Sequence, residues 1–286
     1  GKILRAFHPK PTVLRVRRVG GYPDARLTVS SPPNLHKTFT MRSLAIVTGA
    51  SRGLGLEFCR QLLQRRGADA VVATCRDPQG ASASGLRELE ASSDGRLTIE
   101  TLDVASEASI EELGEGIAAQ GAPVSLLVNC AGILAPDGKG ETSLRAVDAE
   151  RLQKTMAVNA FGPLLMARHV GALMVPDSRI INLSARVGSI GDNRLGGWFA
   201  YRMSKAALNQ ATKTMAIELK RRKVCVVAVH PGTVATDLTL PYRGNIKADK
   251  LLTPAESIAR MLDVCEAVPL DDTGCFIDYA GEPVAW

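Results

Sequence analysis

From residue 41 onward, short apolar runs alternate with longer stretches in which apolar residues recur at helical spacing. The short runs are rich in β-branched residues and have no polar face, which is typical of strands buried on both sides in a parallel sheet. The strands predicted in this way cover 44–48, 70–75, 97–102, 124–129, 180–184, 225–230 and 275–279. The predicted helices lie near 53–66, 106–120, 148–174, 200–221 and 254–267, with a looser helix within 78–95.

Strands and helices that alternate in this order predict an α/β fold with a doubly wound parallel sheet of the Rossmann type, in which right-handed crossovers place helices on both faces. We predict a single domain over 41–286, preceded by a flexible N-terminal extension over 1–40. No apolar run reaches the roughly 18 residues that a membrane-spanning helix needs, so no membrane partner is predicted.

Charge separates the first forty residues from the rest of the chain. Residues 1–40 hold eight of the 35 basic residues, one of the 29 acidic residues and five of the 15 prolines. The remaining 27 basic and 28 acidic residues nearly cancel, which argues against a nucleic-acid partner for 41–286. The basic, proline-containing leader predicts either a transit peptide, with a plastid or mitochondrial location, or translated sequence upstream of a start at Met41, with a cytoplasmic location.

A glycine-rich turn, TGASRGLG at 48–55, follows the first predicted strand. Glycines let the backbone turn tightly and bring its N–H groups against a pyrophosphate, and the positive end of the next helix then faces the anion. The spacing is GxxxGxG rather than the more common GxGxxG. Glycines also serve ordinary turns, but the position between a strand and a helix favours a phosphate-binding loop.

Five motifs in order resemble those of the short-chain dehydrogenase/reductase family. The glycine turn matches the family's TGxxxGxG, residues 129–132 (NCAG) resemble its NNAG, residues 201–205 (YRMSK) match its YxxxK, and residues 231–237 (PGTVATD) resemble its PGxxxTD. Asn159 lies in the long fourth helix, where the family keeps a catalytic asparagine. The run 188–209 further resembles the branch of the family named for C-factor and sniffer.

The resemblance implies an oxidoreductase that transfers a hydride between a nicotinamide cofactor and a carbonyl or alcohol group. It implies catalytic roles for Tyr201, Lys205 and Asn159. It also implies a set of cofactor-binding residues in the loops after the strands and on the helix that carries YxxxK: Gly49, Ser51, Arg52, Gly53, Leu54, Gly55, Asp103, Val104, Asn129, Ala131, Gly132, Tyr201, Lys205, Pro231, Gly232, Val234 and Thr236. Asp103, expected at the adenine ring, could instead cap the helix that begins near Ser106. The four scattered histidines offer no metal-ligand spacing, so no metal is predicted.

The end of the second strand indicates which nicotinamide cofactor is used. An NAD enzyme usually places an acid there for the ribose 2′-hydroxyl, but this position is Cys75 and is followed by Arg76. Arg76, together with Arg52 in the glycine turn, can form charge-assisted hydrogen bonds with a 2′-phosphate. The sequence therefore predicts NADP(H). The alternatives are two ordinary surface arginines, and a pairing of Arg76 with Asp77.

Carbonyl reduction needs a hydride for the carbon and a proton for the oxygen. Tyr201 and Lys205 are four residues apart and so share one helix face. We expect the Lys205 cation and an oxidised nicotinamide ring to lower the pKa of Tyr201 from its free value of about 10, and Lys205 to bind the nicotinamide ribose. The resemblance implies that Asn159 holds a water that relays protons from Lys205.

The sequence departs from the family at the end of the fifth strand. The family commonly has Ser-Ser-x-x-Gly, and its second serine holds the substrate oxygen, but residues 184–188 read SARVG. Ala185 occupies the second position, and Ser184 points to the opposite face unless the strand end twists. We predict that Ser184 supplies the catalytic hydroxyl. The alternatives are a donor such as Ser189, or no donor and slower turnover.

Two function hypotheses follow. The first is an NADP(H)-dependent reductase of a small carbonyl compound, and the second is an NADP(H)-binding regulator whose catalysis is weakened by Ala185.

Trp198 and Phe199 could stack on a substrate or only pack their loop, and residues 239–252 are expected to form a mobile lid. The resemblance implies a homodimer or homotetramer formed through the long helices, and the apolar surface of the helix 148–174 fits this, although it also fits burial inside one subunit.

Overall fold

A computed structural model describes residues 43–65, 69–245 and 250–286. The predicted N-terminal extension lies outside the described residues, as do residues 246–249 of the predicted lid. The described residues belong to one compact unit. The domain boundary at residue 41 stays a prediction.

Nine strands and seven α-helices alternate along the described residues. The strands are β1 (Leu44–Val47), β2 (Ala70–Cys75), β3 (Leu97–Thr101), β4 (Val124–Asn129), β5 (Met174–Leu183), β6 (Cys225–His230), β7 (Thr233–Val234), β8 (Leu251–Leu252) and β9 (Cys275–Asp278). The helices are α1 (Gly53–Gln64), α2 (Ser84–Ala91), α3 (Glu107–Gln120), α4 (Ala149–Met156), α5 (Gly162–Gly171), α6 (Phe199–Leu219) and α7 (Pro254–Ala267).

Seven of the strands form one parallel sheet in the order β3-β2-β1-β4-β5-β6-β9. Side chains of β1 alternate between two cores. Val47 faces the layer of α1, α2 and α7, whereas Ile46 faces the layer of α3, α5 and α6. Helices therefore cover both faces of the sheet, and the predicted doubly wound Rossmann-type fold is confirmed. No helix of the described residues is long and apolar enough to cross a membrane.

The order of the strands fixes where a ligand can bind. The chain runs outward from β1 to β3 and then returns beside β1 as β4, so that the loops after β1 and β4 diverge. Ligands of open α/β sheets bind in the crevice at the carboxyl ends of the strands at such a switch point. The glycine turn and the NCAG segment both begin there.

Two predicted elements have different bounds in the structure. The strand predicted to begin at 180 starts at Met174, which pairs with Val124 before the register shifts. Pro176 and Asp177, the latter at φ +67°, interrupt the apolar pattern of this first part. The helix predicted over 148–174 consists of α4 and α5 with a π-helical turn, Ala157–Phe161, between them.

Candidate active site

The glycine turn packs closely against the segment after β4. Gly49 has φ +67°, and a Cβ there would lie 2.8 Å from the Ala131 Cα, while a Cβ on Gly55 would lie 2.2 Å from the Gly49 carbonyl oxygen. The Thr48 hydroxyl accepts hydrogen bonds from the N–H groups of Cys130 and Ala131, both at 3.1 Å. Side chains larger than hydrogen are therefore excluded where the two loops meet.

The N-terminus of α1 has the form of a phosphate-binding helix end. Its N-cap, Arg52, has an extended backbone and makes no side-chain capping hydrogen bond. The first N–H groups of a helix need acceptors from elsewhere, and a phosphate is a suitable one. Ser51 lies in the same turn, and Leu54 packs against the core. These residues fit the group that the glycine spacing predicted.

The predicted cationic residues lie near the surface. Arg52 forms an ion pair with Asp237 at 3.2 Å, and both side chains are mostly exposed. Arg76 is exposed directly after β2. Asp77, the alternative partner predicted for Arg76, accepts hydrogen bonds from the N–H groups of Gln79 and Gly80.

The aspartate after β3 does not cap the next helix. Ser106 is the N-cap of α3 and accepts from the Ser109 N–H group. Asp103 accepts from the Ala105 N–H group at 3.0 Å. Val104 is buried, and a Cβ on Gly162 would lie 2.7 Å from its carbonyl oxygen.

Asn129 joins the sheet to α6 through a buried row of polar side chains. Its amide nitrogen donates to the Asn182 side-chain oxygen at 2.8 Å, and the Asn182 amide donates to the Thr212 hydroxyl at 2.9 Å. The Asn129 amide nitrogen thus binds within the sheet, while its Oδ1 is buried and has no hydrogen-bond partner among the described residues, so the predicted cofactor contact of Asn129 stays a prediction. Gly132 belongs to the segment after Asn129, and a Cβ there would lie 3.4 Å from Asn159 Oδ1 and 3.7 Å from Lys205 Nζ.

Tyr201 and Lys205 lie in the first two turns of α6 and are only 8% and 4% exposed. The Lys205 ammonium donates to the Leu183 carbonyl oxygen at 2.7 Å and lies 5.8 Å from the centre of the Tyr201 ring. Burial raises the pKa of Tyr201 to about 12 and lowers the pKa of Lys205 to about 8. Burial is therefore the dominant influence on the Tyr201 pKa in this structure, and it outweighs the nearby Lys205 cation.

Asn159 lies in the π-helical turn and is fully buried. Its amide nitrogen donates to the Ile133 carbonyl oxygen at 2.8 Å and to the Ser204 hydroxyl at 3.0 Å, and its Oδ1 accepts from the Ile133 N–H group at 2.9 Å. π-Helical turns are frequent at functional sites. Because both amide protons are donated, only the second lone pair of Oδ1 remains for the predicted water.

The structure turns Ser184 away from Tyr201. The Ser184 hydroxyl donates to Asn209 Oδ1 at 2.6 Å, whereas Ala185 packs with Tyr201 and Leu134. Successive side chains at the strand end therefore point to opposite faces. The alternative donor Ser189 accepts from the Asp192 N–H group and lies 3.3 Å from the Trp286 carbonyl oxygen. Our choice of Ser184 as the hydroxyl at the substrate does not agree with this geometry.

The PGTVATD segment leads from β6 back to the glycine turn. The Pro231 carbonyl oxygen accepts from Ser257, and Gly232, at φ +80°, has room only for hydrogen beside the Tyr279 ring. Val234 is buried in β7, which pairs with β8. The Thr236 methyl group lies 3.6 Å from the Cβ position of Gly53.

A polar cleft that sequence reasoning missed lies next to this segment. It has a volume of about 290 Å³, and the charged or polar residues that line it include Arg186, His230, Lys250, Asp278 and Tyr279. Burial, followed by the nearby Arg186, lowers the pKa of His230 to about 4, so its imidazole is neutral at pH 7. The only signal in the sequence is that His230 is the last residue of one predicted strand and Asp278 the last but one of another, at the ends where site residues of parallel sheets gather.

Comparisons with known proteins cover most of the chain. The family model described as short chain dehydrogenase matches residues 43–246. C-signal of Myxococcus xanthus is 35% identical over 170 residues, which are 57% of this chain and 93% of that protein.

Solved structures match over a longer part. An NADPH-bound carbonyl reductase from chicken fatty liver is 32% identical with a TM-score of 0.77, over 86% of this chain and 99% of that one. The carbonyl reductase Sniffer of D. melanogaster is 29% identical with a TM-score of 0.76, over 86% of this chain and 100% of that one. Both structures match over nearly their whole length.

Proposed function

Because the chain belongs to the short-chain dehydrogenase family, as its motifs predicted, we propose that it is an NADP(H)-dependent oxidoreductase that reduces a small carbonyl compound or oxidises the corresponding alcohol. The observation that carries the proposal is the buried pair of Tyr201 and Lys205 beside Gly132, within reach of the loop that follows β4. The proposal places the reacting carbon between this pair and the nicotinamide.

When bound, the cofactor supplies or accepts the hydride. The Tyr201 hydroxyl donates the proton to the carbonyl oxygen in reduction. Because its pKa is raised to about 12, Tyr201 holds this proton at neutral pH. Lys205 is mainly protonated below its pKa of about 8, and its cation stabilises the tyrosinate that forms. The hydrogen bond from Lys205 to Leu183 fixes the ammonium group at the end of β5.

Cofactor binding is assigned to the two loops at the switch point of the sheet. The N–H groups at the start of α1 would bind the pyrophosphate, and Thr236 closes over Gly53 from the other side. Arg76, exposed after Cys75, would bind the 2′-phosphate of NADP(H), with Arg52 as a second cation. The NADPH of the chicken reductase supports the same choice.

An assay of the full chain with NADPH and a panel of aldehydes, ketones and quinones tests this function. We expect measurable NADPH oxidation with at least one of them, and a loss of about 10²- to 10⁴-fold in kcat for Tyr201→Phe, because the proton donor is removed while the ring remains. NADPH binding, measured by the change in its fluorescence, should persist in the variant. Turnover that survives Tyr201→Phe would overturn the role of the tyrosine.

The second candidate function is that of an NADP(H)-binding regulator with weakened catalysis. It is favoured by Ala185, which packs against Tyr201 where a hydroxyl donor was expected, and by the similarity to C-signal. Loss of one oxyanion-type donor costs on the order of 10²–10³ in rate, so an enzyme without it would be slow but active. Tight NADPH binding with no turnover of any carbonyl compound would favour the regulator.

We also propose a homodimer or homotetramer formed through the helices that carry Asn159 and Tyr201. Phe161 and Leu164, in the π-helical turn and α5, are 52% and 45% exposed, and Met203 on α6 is 54% exposed. Large apolar side chains at this level of exposure on neighbouring helices are typical of a surface that binds another protein. The substrate is a small molecule in this proposal.

A further inference from the structure

The first turn of α6 is held by an acidic residue from the loop between β4 and α4. Glu141 has a side chain with no exposed surface. Its Oε2 accepts from the Ala200 N–H group at 3.4 Å, and its backbone carbonyl oxygen accepts from the Trp198 N–H group at 2.6 Å. A carboxylate at a helix N-terminus accepts from otherwise unpaired N–H groups and interacts favourably with the helix dipole. The Glu141 side chain therefore caps the N-terminus of α6 at Ala200, the residue before Tyr201.

The same loop also fixes the aromatic neighbour of Tyr201. Trp198 is the N-cap of α6 and has a left-handed backbone at φ +51°, which a bulky residue rarely adopts. A Cβ on Gly140 would lie 2.2 Å from the Trp198 ring, so the ring occupies space that only glycine leaves. The edge of this ring meets the Tyr201 ring, with the centres 6.3 Å apart and the planes at 75°. The Trp198 ring thus packs against Gly140 of the loop on one side and against the Tyr201 ring on the other.

Arg151 on α4 holds the loop from its other side. Its guanidinium donates to both carboxylate oxygens of Asp137, at 3.0 Å each, and to the Lys139 carbonyl oxygen at 2.7 Å. Its Nε lies 3.9 Å from Glu141 Oε1, and within the described part of the chain neither of these two buried atoms has a hydrogen-bond partner. The Glu141 carboxylate is therefore set between a cation and a helix N-terminus, which fixes its position.

We propose that Glu141 is a positioning residue for Tyr201 and acts through Trp198 and the first turn of α6. The inference rests on the proposed function, since it takes Tyr201 as the proton donor. A displacement of the hydroxyl by about 1 Å is enough to lower a rate by roughly 10²-fold, so the cap matters for turnover as well as for folding. A capping role requires an oxygen acceptor, which Gln supplies and Ala does not.

The test compares Glu141→Ala and Glu141→Gln with the control Glu150→Gln in the full chain. Glu150 is exposed on the same stretch of chain and pairs with Lys154. We expect Glu141→Ala to lower kcat by about 10- to 100-fold while the KM for NADPH changes by less than about two-fold, because the cofactor loops are untouched. Glu141→Gln should restore most of kcat, and Glu150→Gln should match the parent.

A spectroscopic measurement separates this inference from the proposed function. The chain has two tryptophans, so in a Trp286→Phe background Trp198 is the only one. We expect Glu141→Ala to shift the emission of Trp198 to longer wavelength and to increase its quenching by acrylamide, whereas Glu141→Gln and Glu150→Gln leave both unchanged.

Unchanged emission and kcat in Glu141→Ala would overturn the inference. An equal loss of kcat and of NADPH affinity in both Glu141 variants would also overturn it, because that pattern indicates general destabilisation. A parent protein without turnover would reject only the proposed function, since the emission still reports on Trp198.

Discussion

Ala185 is the residue at which the active site differs most from the pattern that its motifs predict. The alternation of side chains along a strand was visible in the sequence, and it indicated that Ser184 and Ala185 point to opposite faces. The contacts agree, because Ser184 binds Asn209 while Ala185 packs against Tyr201. What the sequence could not reveal was whether the strand end twists, because that depends on how α6 packs on the sheet.

Substitution of Ala185 by serine tests whether the position of the substrate donor is vacant. Ala185→Ser places a hydroxyl beside Tyr201, and we expect kcat to rise by as much as about 10²-fold if a donor is lacking there. Steady-state kinetics with the best carbonyl substrate measure this.

Ser184→Ala serves as the contrast, because it removes the hydrogen bond to Asn209. It should cost about 1 kcal/mol in the free energy of unfolding, measured in urea. A fall in kcat for Ala185→Ser would mean that another group already binds the oxygen and that the new hydroxyl displaces it.

At the scale of elements, the apolar runs predicted the seven strands of the central sheet because most of these strands are buried on both faces, although the edge strand β3 is partly exposed. The beginning of β5 escaped prediction, since Pro176 and Asp177 break the pattern and the pairing of Met174 with Val124 is a contact between distant residues. The π-helical turn escaped it as well. Within this turn Asn159 donates hydrogen bonds to Ile133 and Ser204 on other parts of the fold, and the sequence does not reveal such contacts.

The end of β2 carries the prediction of cofactor choice. Arg76→Asp replaces this cation with an acid, one residue after Cys75, which stands where an NAD enzyme usually places its acid for the ribose hydroxyl. We expect kcat/KM for NADPH to fall by about 10- to 100-fold, because a charge-assisted contact becomes a repulsion, while kcat/KM for NADH rises. Assays with the two cofactors side by side measure the ratio.

Arg221→Asp is the matched control for this change. Arg221 is exposed in the turn between α6 and β6, at the opposite end of the sheet from the cofactor loops. It should leave the ratio at the parent value. If the Arg76→Asp protein keeps its preference for NADPH, Arg76 does not bind the 2′-phosphate, and that role falls to Arg52 alone.

Contacts across the whole molecule account for what neither residues nor elements predicted. Glu141 and Ala200 are 59 residues apart, and no spacing rule links a loop acid to the start of a distant helix. The polar cleft likewise gathers the ends of β6 and β9 with Arg186 from the loop after β5. Motifs predicted the candidate catalytic residues, whereas the residues that support them became visible only through the fold.

The exposed apolar side chains on α5, α6 and the π-helical turn predict that whole molecules associate into a homo-oligomer. If α5 and α6 form the interface, the full chain should have the mass of a dimer or tetramer in light scattering after gel filtration. The double substitution of Phe161 and Leu164 by aspartate should shift it toward the monomer, because burial of two carboxylates in an apolar interface without partners is costly. Val175→Asp, at the far end of β5, is the control and should keep the parent mass. A parent protein that is monomeric at every concentration would show that the exposed apolar side chains serve another purpose, and equal masses for the parent and the double variant would place the interface elsewhere.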